Sequence, residues 1–557
     1  MLKQVGYLNT LTRSEEDHVV NLSKLSPGAH CSEHVIFHLN QDRNVDWVVS
    51  RICDHREGKL HLRENNTLAI CPLHGWRLDL STLKYSNVNV TKKKLSFKQD
   101  QDKLSISIRD LQLTTPTEFK STRSVEVQVR FIAHACISIT IGSVKIITDP
   151  WLVGPCFATG WWHKFPPAED AIDELQSADI IYISHNHPDH MHIETLSHVA
   201  RDALIITPDF ESGSVERLLR KAGFTNIHPL SFNSIHSINN QTDVVLSILK
   251  SGDFRDDSGL YLQAGDFCAV LTVDSSALNN YTLPQDIDLL MTSFAGGSYG
   301  FPLCFELYPI QKRRQMARQK AMANANQACR YVEIVKPKIY VPYAGFFTEA
   351  ANRDSFIREN TAKNLPSDID KMLQKRQLDT RVVNPIEHDS LNFKGGQCEI
   401  KSTKKSPLFE VNQQYINHYI DELRKETESY DIEIVSNFFQ ESEFTDSMIL
   451  YLVPTNDDFE PIASGLVIDF STSIISTNNL SGEDVLTAFE EIAPGNNTRH
   501  LLLKVRCDSL WHVLKNNLPF EDLLIGFQCR VNRKPDVYNS DFWFHFTNVF
   551  IGKTEPV

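Results

Sequence analysis

The run "IIYISHNHPDHMH" at residues 180–192 constrains the fold more than any other stretch of the chain. Its first part is continuously apolar, as a strand covered on both faces requires. The second part places His185, His187, Asp189 and His190 in a His-x-His-x-Asp-His spacing. Polar rings and a carboxylate gathered at the mouth of a buried strand are costly to desolvate unless a cation draws them together. These four residues therefore read as metal ligands on the loop leaving a strand. His192 lies outside the spacing and reads as an exposed bystander.

A second cluster lies more than a hundred residues upstream. "ICDHREGKLHLRENNTLAICPLHGW" holds Cys53, His55, Cys71 and His74 as Cys-x-His and Cys-x-x-His. Two cysteines and two histidines also suit tetrahedral zinc, but zinc fingers usually pair like with like in each knuckle. Here each knuckle mixes thiolate and imidazole. That suits a Rieske [2Fe–2S] centre, in which two cysteines hold one iron and two histidines the other. "CPLHGW" resembles the second cluster-binding loop of Rieske domains, with Trp76 where that loop turns back into a strand.

The surrounding patterns divide the chain into three units. Residues 1–113 read as short β segments with charged, Asn-rich turns, giving a β-rich Rieske unit. "TTPTEFKSTRS" at 114–124 is a polar linker. Residues 125–404 alternate strands such as "DVVLSIL", "FCAVLTVD" and "IDLLMTSF" with helices. The longest helix covers "QKRRQMARQKAMANANQACRYVEIV", so this unit is a layered α/β domain. Residues 405–557 read as an α+β unit without clustered ligands. The whole is a multidomain α/β chain.

A net charge of −14 argues against a broad nucleic-acid surface. No segment reaches the roughly 20 continuous apolar residues needed to span a bilayer. The N-terminus lacks a secretory pattern, so a cytoplasmic protein is expected. Eleven scattered cysteines fit free thiols and metal ligands.

The downstream motif resembles the metallo-β-lactamase fold, which implies an αββα arrangement, with Asp149 and Asp274 also at strand ends. His134, which recurs in this fold class, is expected to orient a ligand. Two features depart from zinc hydrolases of that fold. The late strand "VPYAGFF" lacks a histidine, and the middle segment "KSGDFRDDSG" offers Asp253, Asp256 and Asp257 instead. Fewer imidazoles and more carboxylates suit non-haem iron in oxygen activation. Trp161, Trp162 and Phe165 read either as core or as a stacking wall. Gly296, Gly297 and Gly300 read either as an ordinary turn or as a phosphate-approaching one.

Taken together, "CDHREG", "AICPLHGWRLDLSTLKY", "DPWLVGPCFATGWW", "ADIIYISHNHPDHMHIETL", "FAGGSYGFP" and "LLIGFQCRVNRKPDVY" resemble the cytidine monophosphate-N-acetylneuraminic acid hydroxylase family from the first unit to the last. The resemblance implies a monooxygenase that hydroxylates the N-acetyl methyl of a CMP-sugar using O2. Its electrons would come from a donor such as cytochrome b5 and its NADH-dependent reductase. It also implies a [2Fe–2S] cluster on Cys53, His55, Cys71 and His74. One or two non-haem iron ions would be held by His185, His187, Asp189, His190 and Asp274, the catalytic set. One departure is Phe254, near where the family's middle segment carries a histidine. Two other classes stay open: a related Rieske-linked oxygenase acting on another N-acyl or amino substrate, and a zinc hydrolase with a Rieske redox module.

The mixed ligand set makes a direct prediction. His55→Cys replaces a neutral imidazole with a charged thiolate, so the cluster's potential should fall and its visible spectrum should move toward that of a plant-type ferredoxin. An unchanged spectrum would remove the assignment.

Overall fold

The computed structural model describes residues 1–7, 18–32, 34–54, 60–63, 66–71, 76–86, 90–107, 123–239, 241–298, 300–403, 405–472, 474–493 and 498–551. Alternation builds the first unit. Strands Gly28–Cys31, Val35–Leu39 and Val45–Ser50 form one antiparallel sheet, and His61–Arg63, Leu68–Ile70 and Arg77–Asp79 another. Successive side chains of a strand point to opposite faces. Ile36 and Val49 accordingly join a core with Cys53, Cys71 and Trp76, while Val35, Phe37 and Val48 join another with Leu104 and Ile106.

The middle unit is a sandwich of two eight-stranded sheets. One runs from Ile227–Leu230 through Ile205–Pro208, Ile180–Tyr182, Val144–Thr148, Cys136–Ile141, Val127–Ala133 and Ser390–Lys394 to Gln397–Lys401. The other includes Ser234–Ile238, Gln241–Lys250, Ser258–Ala264, Phe267–Leu271, Leu289–Ser293 and Ile339–Tyr343. Ile180–Tyr182 pairs in parallel with both of its neighbours. Ile180 and Tyr182 face the inter-sheet core, and Ile181 faces the helices Ala171–Gln176 and Ser214–Lys221 outside. That double burial accounts for the unbroken apolar run.

On the opposite outer face lies the helix Ile310–Val335, 26 residues long. Its buried side carries Ala317, Ala321, Ala325 and Ala328, small enough for close approach to the sheet. The layers are helix, sheet, sheet, helix, as expected.

The first unit's boundary differs from the expected one. Leu2–Tyr7 pairs antiparallel with Ser234–Ile238, so the first residues belong to the central sandwich rather than to a unit spanning 1–113. An open edge strand offers a row of unpaired backbone groups, and this segment satisfies them. Residues 114–122 of the expected linker lie outside the described residues. Arg123 pairs with Asp243, and the Ser124 hydroxyl accepts the Gly395 N–H.

The last unit is α+β. A five-stranded mixed sheet, ordered Ser476–Ser481, Ser464–Asp469, Met448–Thr455, Arg499–Arg506 and Cys529–Lys534, carries helices including Gln413–Glu426 and Cys507–Lys515. It joins the sandwich through "DPWLVGPCFATGWW" and the segment that follows "FAGGSYG". Trp151, Phe157 and Trp161 share a core with Leu303, Phe305, Leu524 and Phe527. Trp161 Nε1 donates to the Ile525 carbonyl at 3.1 Å. Trp161 is buried in this packing and Trp162 in a separate cluster with Ile416 and Ile420, whereas Phe165 is 40% exposed.

Glycine is required at this seam. A Cβ on Gly160 would lie 2.1 Å from the Gly526 carbonyl oxygen, and one on Gly300 would lie 2.1 Å from that of Leu524. The glycine-rich turn thus serves packing. Gly526→Ala would set its Cβ 2.3 Å from the Phe157 carbonyl oxygen, backbone against backbone. It should cost about 1–3 kcal/mol or more, read as a lowered urea midpoint for the whole chain.

Candidate metal centre

The parallel pairing of Val144–Thr148 with Ile180–Tyr182 brings Asp149 beside Ser184. Asp149 is fully buried, and both of its oxygens are used. Oδ1 accepts the Ser184 N–H at 2.7 Å, and Oδ2 accepts the Ser184 hydroxyl at 2.7 Å. The same Oδ2 lies 3.0 Å from His190 Nδ1. Burial raises the pKa of this carboxyl above its ordinary value, and the contacts with His190 and Ser184 offset part of that cost. They also fix the ring so that His190 Nε2 faces inward, as partners of metal-bound histidines commonly do.

The inward-facing donors converge. His190 Nε2 lies 3.3 Å from Asp189 Oδ2 and 3.5 Å from Asp274 Oδ2. His185 Nε2 lies 2.9 Å from His187 Nδ1 and 3.8 Å from Asp257 Oδ1, while its Nδ1 meets the Ser184 hydroxyl at 2.9 Å. His134 Nε2 stands 3.1 Å from Asp189 Oδ2. Three overlapping triplets result: His134, Asp189 and His190; His185, His190 and Asp274; His185, His187 and Asp257. In each, the donor atoms lie within 4.8 Å of one another.

Buried His190 Nε2 and Asp189 Oδ1 make no hydrogen bond. Such atoms are tolerated where a cation would meet them, so the donor set fits a metal. The charge states of His185 and His187 agree. Burial pushes His187 down to about 4, and burial with His190 and His187 pushes His185 well below its ordinary value, leaving both rings as neutral donors. Burial opposes charge on His190, but Asp189 and Asp149 outweigh it and raise its value. Burial, with Asp253 and Asp274 nearby, lifts Asp257 to about 7.

The backbone around the cavity is held in an unusual conformation. His134, Asp149, Val273 and Ala344, each at or near the end of a strand, have φ of 44°, 39°, 51° and 49°. Left-handed non-glycine residues of this kind cluster where side chains must be aimed.

All five residues expected in the catalytic set, His185, His187, Asp189, His190 and Asp274, therefore meet at one place. Of the three middle-segment aspartates, Asp257 enters. Asp253 pairs with Arg255 at 2.9 Å, and Asp256 accepts from the Ser212 hydroxyl at 2.6 Å. Arg255 also reaches Asp257 at 3.0 Å, fixing it. His134 was expected to orient a ligand and stands as a candidate donor itself. His192 is buried rather than exposed: it caps the helix Ile193–Leu196 through Thr195 and meets the Pro155 carbonyl.

In the first unit, Cys53 and Cys71 are buried in one core with Trp76, whose ring meets that of Tyr85 at 5.0 Å. His55 and His74 lie outside the described residues. The Tyr85 hydroxyl donates to Asp54, which pairs with buried Lys92 at 2.8 Å. Phe254 and Tyr538 pack against this cysteine-bearing core. The same two residues line a cleft with Asn186, His187, Arg255 and Asp257. One aromatic wall is thus shared by the cysteine-bearing core and the candidate metal-donor site.

The three aspartates make a discriminating test. Asp257→Asn should lower metal content at this centre at least several-fold, whereas Asp253→Asn and Asp256→Asn should stay near the parent in metal analysis. Equal retention in all three would confine the site to the other donors.

Residues 128–344 match the model of the beta-lactamase superfamily domain. Over 590 aligned residues the chain is 28% identical to "Cytidine monophosphate-N-acetylneuraminic acid hydroxylase" of Danio rerio, covering 98% of this chain and 94% of that one. The Mus musculus protein of the same name is also 28% identical, covering 94% and 95%. Among solved structures, CmlA, described as a diiron β-hydroxylase from Streptomyces venezuelae, aligns at a TM-score of 0.33 and 17% identity, covering 51% of this chain and 56% of that one. With residues 128–344 matching the beta-lactamase superfamily domain around its converging donors, the chain is similar along nearly its whole length to the cytidine monophosphate-N-acetylneuraminic acid hydroxylases.

Proposed function

We propose that this chain is an iron-dependent monooxygenase that hydroxylates the N-acetyl methyl of CMP-N-acetylneuraminate, giving the N-glycolyl sugar. The observation that carries this reading is the shared wall: Phe254 and Tyr538 touch the core holding Cys53 and Cys71 and also line the cleft above His187 and Asp257. A hydrolase has no use for an electron carrier set against its metal site. A methyl C–H cannot be removed by acid–base chemistry at neutral pH, whereas O2 activation needs electrons delivered one at a time.

Cys53, His55, Cys71 and His74 would hold a Rieske [2Fe–2S] cluster, and His185, His187, Asp189, His190 and Asp274 would hold iron, with Asp257 and His134 as further donors. When bound, these groups supply one-electron transfer and oxygen activation. The protein's part is to fix the donors. Asp149 and Ser184 aim His190 and His185, and Arg255 steadies Asp257. Three carboxylates among the donors favour iron over the imidazole-rich surroundings of zinc. Phe254, Tyr538 and Trp543 restrict water access to the cleft.

An external one-electron donor is needed, for which cytochrome b5 and its reductase are expected. No helix among the described residues is long and apolar enough to cross a membrane, and we place the protein in the cytoplasm.

Iron-reconstituted protein supplied with reductant should convert CMP-N-acetylneuraminate to a product heavier by one oxygen atom drawn from labelled O2. His185→Ala and His187→Ala should abolish conversion and leave the cluster's visible spectrum intact. Zinc in place of iron in the second unit, with no oxygen incorporated, would defeat the reading.

A further inference from the structure

The motif "DPWLVGPCFATGWWH" places more aromatic residues beside the metal centre than the seam uses. Trp151, fully buried, meets His134 at 5.2 Å between ring centroids, and His134 Nε2 contacts Asp189. From Trp151 two routes lead outward. In the first, its Nε1 donates to the Gly154 carbonyl at 3.0 Å, and the Gly154 N–H donates to the Tyr415 hydroxyl at 2.9 Å. In the second, its ring stacks on His163 at 4.0 Å. His163 lies 5.7 Å from Phe409, which stacks on Tyr415 at 4.9 Å. Tyr415 meets Tyr419 at 5.2 Å, and Trp162 lies 6.0 Å from both tyrosines.

The outer end of this chain is specific. The Tyr419 hydroxyl donates to Glu194 Oε1 at 2.8 Å, and Glu194 is exposed. Gly154 is pressed into this junction, where a Cβ would lie 2.5 Å from Glu194 Oε2 and 3.1 Å from the Tyr419 hydroxyl. His163 is buried with neither ring nitrogen hydrogen-bonded, so it contributes as a neutral stacked ring. A phenol can be oxidised at modest cost only if a neighbouring base takes its proton, and Glu194 is such a base. A purely structural aromatic core needs neither the ordered hydrogen bonds nor a carboxylate at the rim.

We propose that Trp151, Tyr415 and Tyr419 form a one-electron escape route that protects the metal centre when it is oxidised without substrate in place. Resting on the oxygenase reading, the step balances as follows. The oxidised centre gains one electron from the Trp151 indole, and the indole is refilled through Tyr415 from Tyr419. The Tyr419 phenolic proton passes to the Glu194 carboxylate, leaving a neutral tyrosyl radical and a carboxylic acid. A soluble thiol or ascorbate-class reductant at the surface then returns one hydrogen atom to the phenol, and Glu194 releases its proton to water.

The test treats iron-loaded, substrate-free protein with hydrogen peroxide and freezes it for electron paramagnetic resonance. The parent should show a tyrosyl radical. Tyr419→Phe should weaken it several-fold, because the phenol beside the Glu194 base is gone, and the Tyr415→Phe/Tyr419→Phe double variant should lose it. Glu194→Gln, which keeps a hydrogen bond but removes the base, should lower its yield several-fold. Because phenylalanine keeps the ring packing, conversion of CMP-N-acetylneuraminate should persist in the double variant, while inactivation by peroxide becomes several-fold faster. No protein radical in the parent, or an identical signal in the double variant, overturns the route. Oxygen incorporation into the sugar is scored separately, so the route and the oxygenase reading fail independently.

Discussion

Asp149 is a carboxyl group with no access to water, and much of the candidate metal centre is arranged around satisfying its oxygens. Its oxygens accept from Ser184 and hold His190, so the carboxylate is satisfied only while the strand carrying it stays in parallel register with Ile180–Tyr182. The register in turn is fixed by Ile180, Ile181 and Tyr182 alternating between two apolar layers, since a slip of one residue would exchange the two faces. A local hydrogen-bond requirement and a global packing requirement thus specify the same geometry. The outcome is that His190 and His185 can present only their Nε2 atoms to the cavity.

Gathering Asp189, Asp257 and Asp274 near one another works against the fold until a cation arrives, and the loop bearing the histidines would relax outward if it were free. The last unit prevents this. Asn186, between two donor histidines, donates to the Thr547 carbonyl at 2.8 Å and to Asn548 Oδ1 at 3.1 Å. Arg217 donates to the Asn548 carbonyl at 2.7 Å and to that of Ile551 at 3.2 Å. Behind these clamps, Gly160, Gly300 and Gly526 let two backbones meet without side chains between them. The α+β unit is therefore a structural part of the metal centre even though its own sequence holds no ligand cluster.

Much of the site was legible because its residues are close in sequence. The spacing of His185, His187, Asp189 and His190 is local, and so is the apolar run before it. The long alanine-faced helix was readable for the same reason. Asp257 was visible only as one of three aspartates, because the choice depends on distant contacts: the Ser212 hydroxyl takes Asp256, while Asp257 Oδ1 lies 3.8 Å from His185 Nε2. His134 looked like an orienting residue, since nothing in "IAHACIS" reveals that Asp189 lies across from it. His192 was misread as exposed because its burial comes from Pro155, more than thirty positions away. The strand Leu2–Tyr7 gave no sign that it completes a sheet edge more than two hundred residues later. Sequence reasoning fails here wherever the deciding contact is distant.

Phe254 lies between the cysteine-bearing core and the metal-donor cleft. It stands near where a histidine is expected from the family resemblance, yet its ring is turned to the core holding Cys53 and Cys71 and to the cleft wall. The same short turn supplies Asp257 as the donor and Arg255 as its anchor. Exchanging an imidazole for a carboxylate adds a negative charge to the donor set, which suits a harder and more highly charged metal ion. An apolar ring at 254, in turn, lets the cysteine-bearing unit seat closely without burying an unpaired polar group. On the proposed function, metal preference and the seating of the cysteine-bearing unit fall to neighbouring residues of one turn, and a change that altered one would be felt by the other.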